Sequence, residues 1–461
     1  MTQHIIIGGG PAATNAIESI RQFEDSQSKI TLISDEPAHS RMALPYWLAG
    51  QIPREQTHTA DDAYFAKLGV DARIGRRVTK IDPAAGSVSL DDGGDLAFDN
   101  LLIATGASPV APEIPGADLP GVQPMWSLGH TELALRTTDG VDAPRVVLVG
   151  AGFVGFIVLN AMFKRGWNLS VVEREGQVLP RMLDRASAGI VQSWLAEHGV
   201  GVQTGTTVAS ITEAEDGAKR VELENGTRLD ADLVILATGI RVNSELLSGT
   251  NIGIEEGILV DDQMRTNFPN IYAAGDVAQG PVLFSDDRAI HAIQPTAVDH
   301  GRVAGANMAG HEVHYPGSLL MNVVDVCGLQ TASFGNWSDA AAEDFTITND
   351  RDFIYRKLLW TADRLAGAIF TGRATDLGML TDVGMIKGIL QTHTALGQWK
   401  EYLRENPFDV RRAYIGAGVA QKLVGSTLTG RPSQARGFHF GNAKPKPAVG
   451  DAHATYVGTK S

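Results

Sequence analysis

The sequence of 461 residues contains a single cysteine, Cys327. One thiol cannot close an intramolecular disulfide, hold an iron–sulfur cluster on four thiolates or build a structural zinc site. We therefore expect Cys327 to be a buried small apolar side chain. His291, His300 and His393 do not stand at metal-ligand spacings with other ligands, so no metal site is predicted. Any redox chemistry in this chain must then come from a bound organic cofactor.

Long apolar runs and basic runs are also missing. No stretch of about 18 apolar residues is present, so no membrane span is predicted. The start, MTQHIIIGGG, lacks a cationic segment followed by a long apolar one, and we expect a first β-strand there, not a secretory signal. These features predict a cytoplasmic protein. The net charge of −14 makes a nucleic-acid surface unexpected.

Glycine, in contrast, is abundant, and its first cluster follows a β-branched run. Gly8, Gly10 and Ala13 form the pattern G-x-G-x-x-A between a predicted strand and a predicted helix, with Pro11 and Ala12 in the turn. The first glycine permits a tight turn, the second lets backbone approach a pyrophosphate, and the small third residue lets helix and strand pack closely. A second strand, KITLIS, leads to Asp35, at the usual distance for an acid on a ribose hydroxyl. The segment predicts a dinucleotide site.

The same pattern recurs 142 residues later. The strand RVVLV runs into a glycine turn and a helix, and the next strand ends on Glu173. The turn consists of Gly150, Ala151, Gly152, Phe153, Val154 and Gly155. A carboxylate at Glu173 accepts hydrogen bonds from a free ribose 2′-hydroxyl and repels a 2′-phosphate. This favours NAD(H) over NADP(H), although Arg174 and Arg181 nearby weaken the preference slightly.

Two further segments are similar to each other, and a third motif follows them in the chain. NLLIATGASP and DLVILATGIRVN are each a buried strand running into Ala-Thr-Gly, which brings Thr105, Gly106 and Gly239 back towards a nucleotide. NIYAAGDVA then places Gly275 and Asp276 at the end of a strand, where the acid can hold a ribityl hydroxyl.

This order of five motifs resembles the FAD-dependent pyridine nucleotide–disulfide oxidoreductase superfamily over roughly residues 1–313. The resemblance implies a flavoprotein oxidoreductase with FAD and NAD(H) as cofactors. It implies FAD phosphates on Gly8, Gly10 and the turn at 11–13, FAD ribose on Asp35 and ribityl on Asp276. It places the flavin edge near Thr296 and Ala297, at the start of a helix whose N-terminus favours negative charge. His291 and His300 precede or lie on that helix, so one of them could affect the flavin's electronics.

The implied fold class is α/β, with two nested Rossmann-like (three-layer β/β/α) dinucleotide-binding domains and a small α+β C-terminal interface domain. The FAD-binding domain is expected in two segments, on either side of the inserted one. The predicted boundaries, in chain order, are 1–112 (FAD-binding, N-terminal segment), 113–245 (inserted NAD(H) domain), 246–313 (FAD-binding, returning segment), 314–416 (interface domain) and 417–461 (an extended tail that we expect a partner to anchor).

The segment HSRMALPYWLAG decides between subfamilies. It is similar to the active segment of coenzyme A disulfide reductases, but Met42 stands where their cysteine would be, which excludes a thiol–disulfide relay. It also resembles the segment of rubredoxin reductases and nitrite reductase flavin domains. Arg41 matches their arginine near the FAD pyrophosphate, while Tyr46 and Ile157 replace their lysine–glutamate pair. Tyr46 is then a candidate to stack on the flavin or bond the nicotinamide, with simple packing as the alternative.

Three functions stay open. The leading one is an NAD(H) oxidoreductase that exchanges single electrons with a redox protein, expected to be iron–sulfur; one version makes the chain the NAD-reacting subunit of a 2-oxoacid:acceptor oxidoreductase. The others are a self-contained NADH oxidase or quinone or small-molecule reductase, and a non-catalytic flavin-binding assembly subunit. Basic residues in the tail favour the complex; homodimer and hetero-oligomer are both left open.

Overall fold

The computed structural model describes residues 1–24, 27–215, 217–340, 342–423 and 428–429. Its first domain is built on a five-stranded parallel sheet, buried on both faces and correspondingly rich in isoleucine and leucine. In spatial order the strands are Ile271–Ala273, Asn100–Ile103, Gln3–Ile7, Lys29–Ser34 and Val70–Ile74. The outermost strand thus comes from far along the chain, so a second domain is inserted between residues 103 and 271, as the sequence predicts.

The inserted domain repeats this plan. Its parallel sheet has the spatial order Gly201–Thr204, Asn168–Glu173, Arg145–Val149, Leu233–Leu236 and Val122–Pro124. Each domain adds a three-stranded antiparallel layer. The first is Val78–Asp82, Ser87–Leu90 and Asp95–Ala97, and the second is Val208–Glu213, Lys219–Leu223 and Arg228–Ala231. With the helices on the other face, each domain has the three layers expected from the sequence.

Most helices of the two domains lie between successive strands of the parallel sheets, and the last one follows the final strand of the first domain. They are Pro11–Glu24, Leu44–Leu48, Asp62–Lys67, Leu128–Thr137, Phe153–Lys164, Arg185–Glu197 and Gln294–Met308. We call Pro11–Glu24 the first helix, Phe153–Lys164 the inserted-domain helix and Gln294–Met308 the late helix. Within the described ranges, no helix is long and apolar enough to cross a membrane.

Two features hold the first domain and its insertion in place. The outgoing and returning links, Ala107–Pro109 and Ile240–Val242, pair as a two-stranded antiparallel ribbon. The first and late helices cross at two glycines: a Cβ on Gly301 would lie 2.1 Å from the Ala12 carbonyl oxygen, and one on Gly305 would lie 2.4 Å from that of Ala16. Only glycine permits this approach, which brings the N-termini of both helices together.

The C-terminal domain is a five-stranded antiparallel sheet covered by helices on one face. In spatial order the strands are Met321–Val326, Leu329–Gly335, Arg364–Arg373, Ile354–Thr361 and Glu343–Asn349. The helices are Leu377–Gln391, Gln398–Glu405, Val410–Gly416 and Val419–Leu423. The last of these differs from the predicted boundary at 417, because its Val419 is fully buried in the core of this domain. Most of the predicted tail, residues 424–427 and 430–461, lies outside the described residues.

The other face of that sheet packs on the inserted domain. Asp184 caps the helix Arg185–Glu197 by accepting from the Ser187 amide, and its second carboxylate oxygen accepts from the Tyr355 hydroxyl and the Lys357 ammonium. Val324, Leu329 and Ile369 belong to the same buried cluster as the inserted-domain helix. The C-terminal sheet and the inserted domain therefore share a core.

Candidate functional site

The first helix, the inserted-domain helix and the late helix all begin at one cavity of about 630 Å³. Most of the predicted site residues line it: Gly8, Gly10, Pro11, Ala12, Asp35, Arg41, Thr105, Gly106, Phe153, Val154, Ile157, Gly275, Asp276 and Ala297. The other predicted site residues do not line it: Ala13, Tyr46, Gly150, Gly152, Gly155, Glu173, Gly239 and Thr296. The cavity therefore joins the two glycine-rich segments that the sequence singles out.

The first glycine of each loop packs against an Ala-Thr-Gly turn. Gly8 has φ +105°, and a Cβ there would lie 2.2 Å from the Ala104 carbonyl oxygen; Gly150 has φ +103°, and its Cβ would lie 2.4 Å from that of Ala237. The amides of Ala104 and Ala237 in turn donate to the strands just before each glycine. This contact explains why the sequence carries both motifs twice.

The second glycines meet a different requirement. A Cβ on Gly10 or Gly152 would have no protein atom within 4 Å, so the neighbouring chain does not demand glycine at either position. Both stand at helix N-termini, and neither the first helix nor the inserted-domain helix has an acid in its first turn. Open space in front of unneutralised backbone amides fits the close approach of a pyrophosphate. The third positions pack inward: Ala13 is fully buried, and a Cβ on Gly155 would lie 2.5 Å from the Gly150 carbonyl oxygen.

Arg41 supplies the strongest positive charge inside the cavity. Its Nη1 lies 3.0 Å from the Asp276 carboxylate, and its guanidinium carbon lies 3.9 Å from the centre of the Trp126 ring. Trp126 is fixed by a 2.7 Å hydrogen bond from its indole nitrogen to the Ala107 carbonyl. Burial lowers the pKa of Arg41 and Asp276 opposes that change, so the guanidinium stays charged at neutral pH. The Arg41 guanidinium is therefore held at the cavity wall, where it can bind an anionic cofactor in addition to the Asp276 carboxylate.

Gly275 and Asp276 sit where the first and late helices converge. Gly275 has φ +78°, and a Cβ there would lie 3.2 Å from the Ala12 methyl and 3.5 Å from that of Ala297. Asp276 is thereby held between two helix N-termini, both positive. An acceptor of hydroxyl protons at this place fits the predicted ribityl contact.

The two predicted ribose acids differ in their surroundings. Asp35 is half-exposed and forms a 2.7 Å ion pair with Arg77. Glu173 is buried, and its carboxylate accepts from the Ala151 amide at 2.6 Å and the Glu175 amide at 2.9 Å. Glu173 therefore braces the second glycine loop in addition to any contact with a ribose.

Tyr46 does not lie where the sequence interpretation expects it. It is 53% exposed and absent from the cavity wall, whereas Leu44, Pro45 and Leu48 of the same short helix line the cavity. Residues 44 and 48 share a face of a helix, and residue 46 points about 200° away from residue 44. The sequence left simple packing open as the alternative role for Tyr46. That role does not fit either, because half of the side chain is exposed to solvent. Ile157, the other replaced position, does line the cavity.

Several lining residues had escaped the sequence interpretation. The Asn243 amide group donates to the Thr105 carbonyl, and the Thr105 hydroxyl donates to the Asn243 carbonyl, each at 2.8 Å. Asn243 is the last residue of the segment DLVILATGIRVN, and this position was the only feature of the sequence that could have indicated it. Asn322, from the C-terminal sheet, also lines the cavity. No local pattern marks it, because only the packing of the C-terminal domain brings it there.

Cys327 has the environment expected of a packing residue. It is buried in a hairpin turn with φ +53°, and its carbonyl accepts from the Trp194 indole at 3.1 Å. Burial raises the pKa of its thiol to about 12, so the reactive thiolate is not available at neutral pH.

The family model described as pyridine nucleotide-disulphide oxidoreductase matches residues 2–301. The chain belongs to this family. Its members bind FAD and NAD(H), so this chain is a flavoprotein oxidoreductase with those two cofactors. A lone, buried cysteine means that it works without the redox-active disulfide of the family name.

Individual relatives extend the likeness beyond residue 301. The chain is 30% identical over 417 residues to the epsilon subunit of NADH-dependent phenylglyoxylate dehydrogenase of Aromatoleum evansii, covering 89% of this chain and 96% of that one. It is 32% identical over 314 residues to rhodocoxin reductase of Rhodococcus erythropolis, covering 68% and 73%. The reductase in the covalent putidaredoxin reductase–putidaredoxin complex shares the fold with a TM-score of 0.79, at 22% identity over 90% of this chain and 99% of that one.

Proposed function

We propose that this chain is the NAD(H)-reacting subunit of a larger electron-transfer complex of the 2-oxoacid:acceptor oxidoreductase kind. It would exchange hydride with NAD(H) on one side and single electrons with an iron–sulfur subunit on the other. The end-to-end match with the phenylglyoxylate dehydrogenase subunit carries this proposal. That match includes the C-terminal domain, whereas cofactor binding alone would need only the first 300 residues.

FAD would be held by the cavity of the first domain. Its pyrophosphate would meet the amides around Gly10, with the Arg41 guanidinium as counter-charge. Asp35 would accept from the adenosine ribose and Asp276 from the ribityl chain. The late helix, with no acid in its first turn, would direct its positive N-terminus at the flavin end near Ala297.

NAD(H) would be held by the inserted domain. Its pyrophosphate would lie at Gly152, where a Cβ would have open space around it, and Glu173 would favour an unphosphorylated ribose. Phe153 and Ile157 then line the passage from this loop into the flavin cavity. Their apolar side chains exclude water from the place where nicotinamide meets flavin, and they carry no proton that the transfer would need.

Bound FAD supplies the exchange between two-electron and one-electron carriers. The chain itself positions the reactants and adds no second redox centre, because Cys327 is buried and protonated. Electrons must therefore enter or leave through a partner or a small acceptor, and the end-to-end match with a subunit of a larger enzyme favours a partner. A cytoplasmic location stays a prediction.

A rapid-mixing experiment tests the redox side of this proposal. The purified yellow protein is mixed anaerobically with NADH, and the flavin absorbance is followed before and after air is admitted. We expect rapid bleaching and slow reoxidation, because a subunit that waits for its partner reacts poorly with oxygen. Fast reoxidation would indicate a self-contained oxidase, and no bleaching would indicate a non-catalytic flavin-binding subunit.

Recovery of the native assembly tests the partner. The full-length chain carrying an affinity tag is purified from its own cells under anaerobic conditions, and the eluate is assayed for reduction of NAD⁺ by 2-oxoacids with coenzyme A present or absent. We expect co-purifying subunits with iron and acid-labile sulfide. A flavoprotein recovered alone, after mild cross-linking as well, would contradict membership of a complex.

A further inference from the structure

Two histidines beside the cavity are buried without any hydrogen-bond partner. His291 is 8% exposed and His300 is 1% exposed, and all four of their ring nitrogens lack a partner among the described residues. A buried polar group left unpaired is costly, so native proteins keep few of them, often for a catalytic or redox role. These two rings form the largest such group within the described ranges of the chain.

The pair adjoins the segment of chain that forms the proposed flavin end of the cavity, and neither ring lines the cavity itself. His291 immediately precedes the segment in which Ala292, Ile293, Gln294, Pro295 and Ala297 line the wall. His300 lies one turn further along the late helix, on the face that it shares with Thr296. The two histidines therefore flank the helix N-terminus at which the flavin is proposed to bind.

Few charges act on this pair. Burial lowers the pKa of His291, and burial together with His291 lowers the pKa of His300 to about 3. The Tyr315 ring packs edge-on against His300 at 4.9 Å, and its hydroxyl bonds to Ser318. Asp299, on the same helix, interacts with Arg302, with Lys387 of the C-terminal domain and with Tyr315, whose pKa it helps to raise. Both histidines are thus neutral at pH 7, and neither bonds to a carboxylate of the described segments. A negative charge added nearby would raise the pKa of both rings.

We propose that His291 takes up a proton when the neighbouring flavin is reduced, with His300 as its neutral, buried companion. Two electrons and one proton arrive at the cofactor as the hydride of NADH, which leaves NAD⁺ and a negative charge on the cofactor. A second proton comes from solvent to the free ring nitrogen of His291 and neutralises that charge. Oxidation by the partner removes the two electrons and releases both protons to solvent, the one that arrived with the hydride and the one held on His291. The inference rests on the flavin position given under Proposed function.

The test is the pH dependence of the flavin midpoint potential, measured on the holoprotein by spectroelectrochemical titration without NADH. A two-electron, one-proton reduction changes the potential by about 30 mV per pH unit, since tenfold in proton activity corresponds to that value. Uptake of a second proton doubles the slope to about 60 mV per unit. We expect the steeper slope at pH values that lie between the pKa of His291 in the oxidised protein and its pKa in the reduced protein, within about pH 5 to 8. Below and above that pH interval we expect the shallower slope.

Two variants make the assignment specific. His291→Gln keeps hydrogen-bonding groups but cannot titrate, so its slope should stay near 30 mV per unit throughout. His311→Gln is the matched control, because His311 lies past the far end of the same helix, stacked on Phe23 at 4.0 Å; it should behave as the unmodified protein.

Either of two results overturns the proposal: a shallow slope in the unmodified protein at every pH, or a steep slope that persists in His291→Gln, which would put the proton elsewhere. If His291→Gln loses its flavin, the unmodified protein alone decides, through proton uptake per flavin measured with a pH-indicator dye during photoreduction. The proposal requires uptake of more than one proton for two electrons, and uptake of one contradicts it. Because no step uses NADH, failure here is distinct from failure of the proposed function.

Discussion

The crossing of the first and late helices can be tested with one methyl group. In Gly301→Ala the new Cβ would lie 2.1 Å from the Ala12 carbonyl oxygen, whereas real Cβ contacts essentially never fall below 3.0 Å. The helices must therefore separate by about 3.0 − 2.1 = 0.9 Å. Overpacking of this kind costs about 1–3 kcal/mol, and the upper end applies because the atom met is backbone. Alanine returns about 1 kcal/mol in helix propensity, which leaves a net loss of about 2 kcal/mol.

Gly189→Ala is the matched control. Gly189 lies inside the helix Arg185–Glu197, and a Cβ there would meet nothing within 4 Å, so this variant gains the propensity alone, about 1 kcal/mol. The two alanine variants should then differ by about 3 kcal/mol although the chemical change is identical.

The readout is retention of FAD, since both helix N-termini converge on the proposed flavin site. Strain of about 2 kcal/mol that binding must overcome weakens FAD affinity roughly 30-fold. Apoprotein is titrated with FAD by quenching of flavin fluorescence, and flavin release is followed on heating. Equal affinity and equal release temperature for Gly301→Ala and Gly189→Ala would refute the assigned contact.

Other substitutions address the remaining regions of the site. Glu173→Ala removes the acceptor of two backbone amides and should weaken NADH binding at least tenfold while FAD content is unchanged; unaltered NADH affinity by calorimetry would contradict this. Arg41→Met removes a partly exposed cation from the cavity wall. It should weaken FAD affinity by about 1.5 kcal/mol, the lower end of the range for charge-assisted hydrogen bonds, because solvent screens an exposed charge. Asp184→Ala removes a helix cap and the bonds to the C-terminal sheet, and should lower the unfolding free energy by about 2–3 kcal/mol in urea. Cys327, with its pKa raised to about 12, should resist iodoacetamide at pH 8 in the folded protein, and rapid labelling there would show that it is accessible as thiolate.

The nested parallel sheets could be predicted from sequence because their central strands are short and rich in apolar residues, and the first strand of each glycine motif is followed directly by glycine. The strand Gln3–Ile7 and the loop at Gly8 are local features, and so is their repetition at Gly150. The edge strand Glu343–Asn349, in contrast, alternates only around Phe345 and Ile347 and is otherwise polar, which is too short a pattern to predict a strand.

The site was predictable where one segment carries its own chemistry and not where packing supplies it. Arg41 and Asp276 were found in separate motifs, yet their ion pair joins residues 235 positions apart. Tyr46 was placed by its position in a motif, and the direction of a five-residue helix turns it outward. Asn322 needed the whole C-terminal domain to reach the cavity.

The core shared by the inserted domain and the C-terminal sheet bears on how the chain can be divided. One buried cluster contains Leu159 and Val171 from the inserted domain together with Val326, Leu329 and Ile369 from the sheet. Groups that are buried against each other open together, so these two regions form one cooperative unit in hydrogen exchange or limited proteolysis. Cutting the chain near residue 313 would strip that cluster of one wall. The C-terminal domain is thus part of the same folding unit as the inserted nucleotide-binding domain. We therefore expect that it cannot be exchanged between relatives as a separate module.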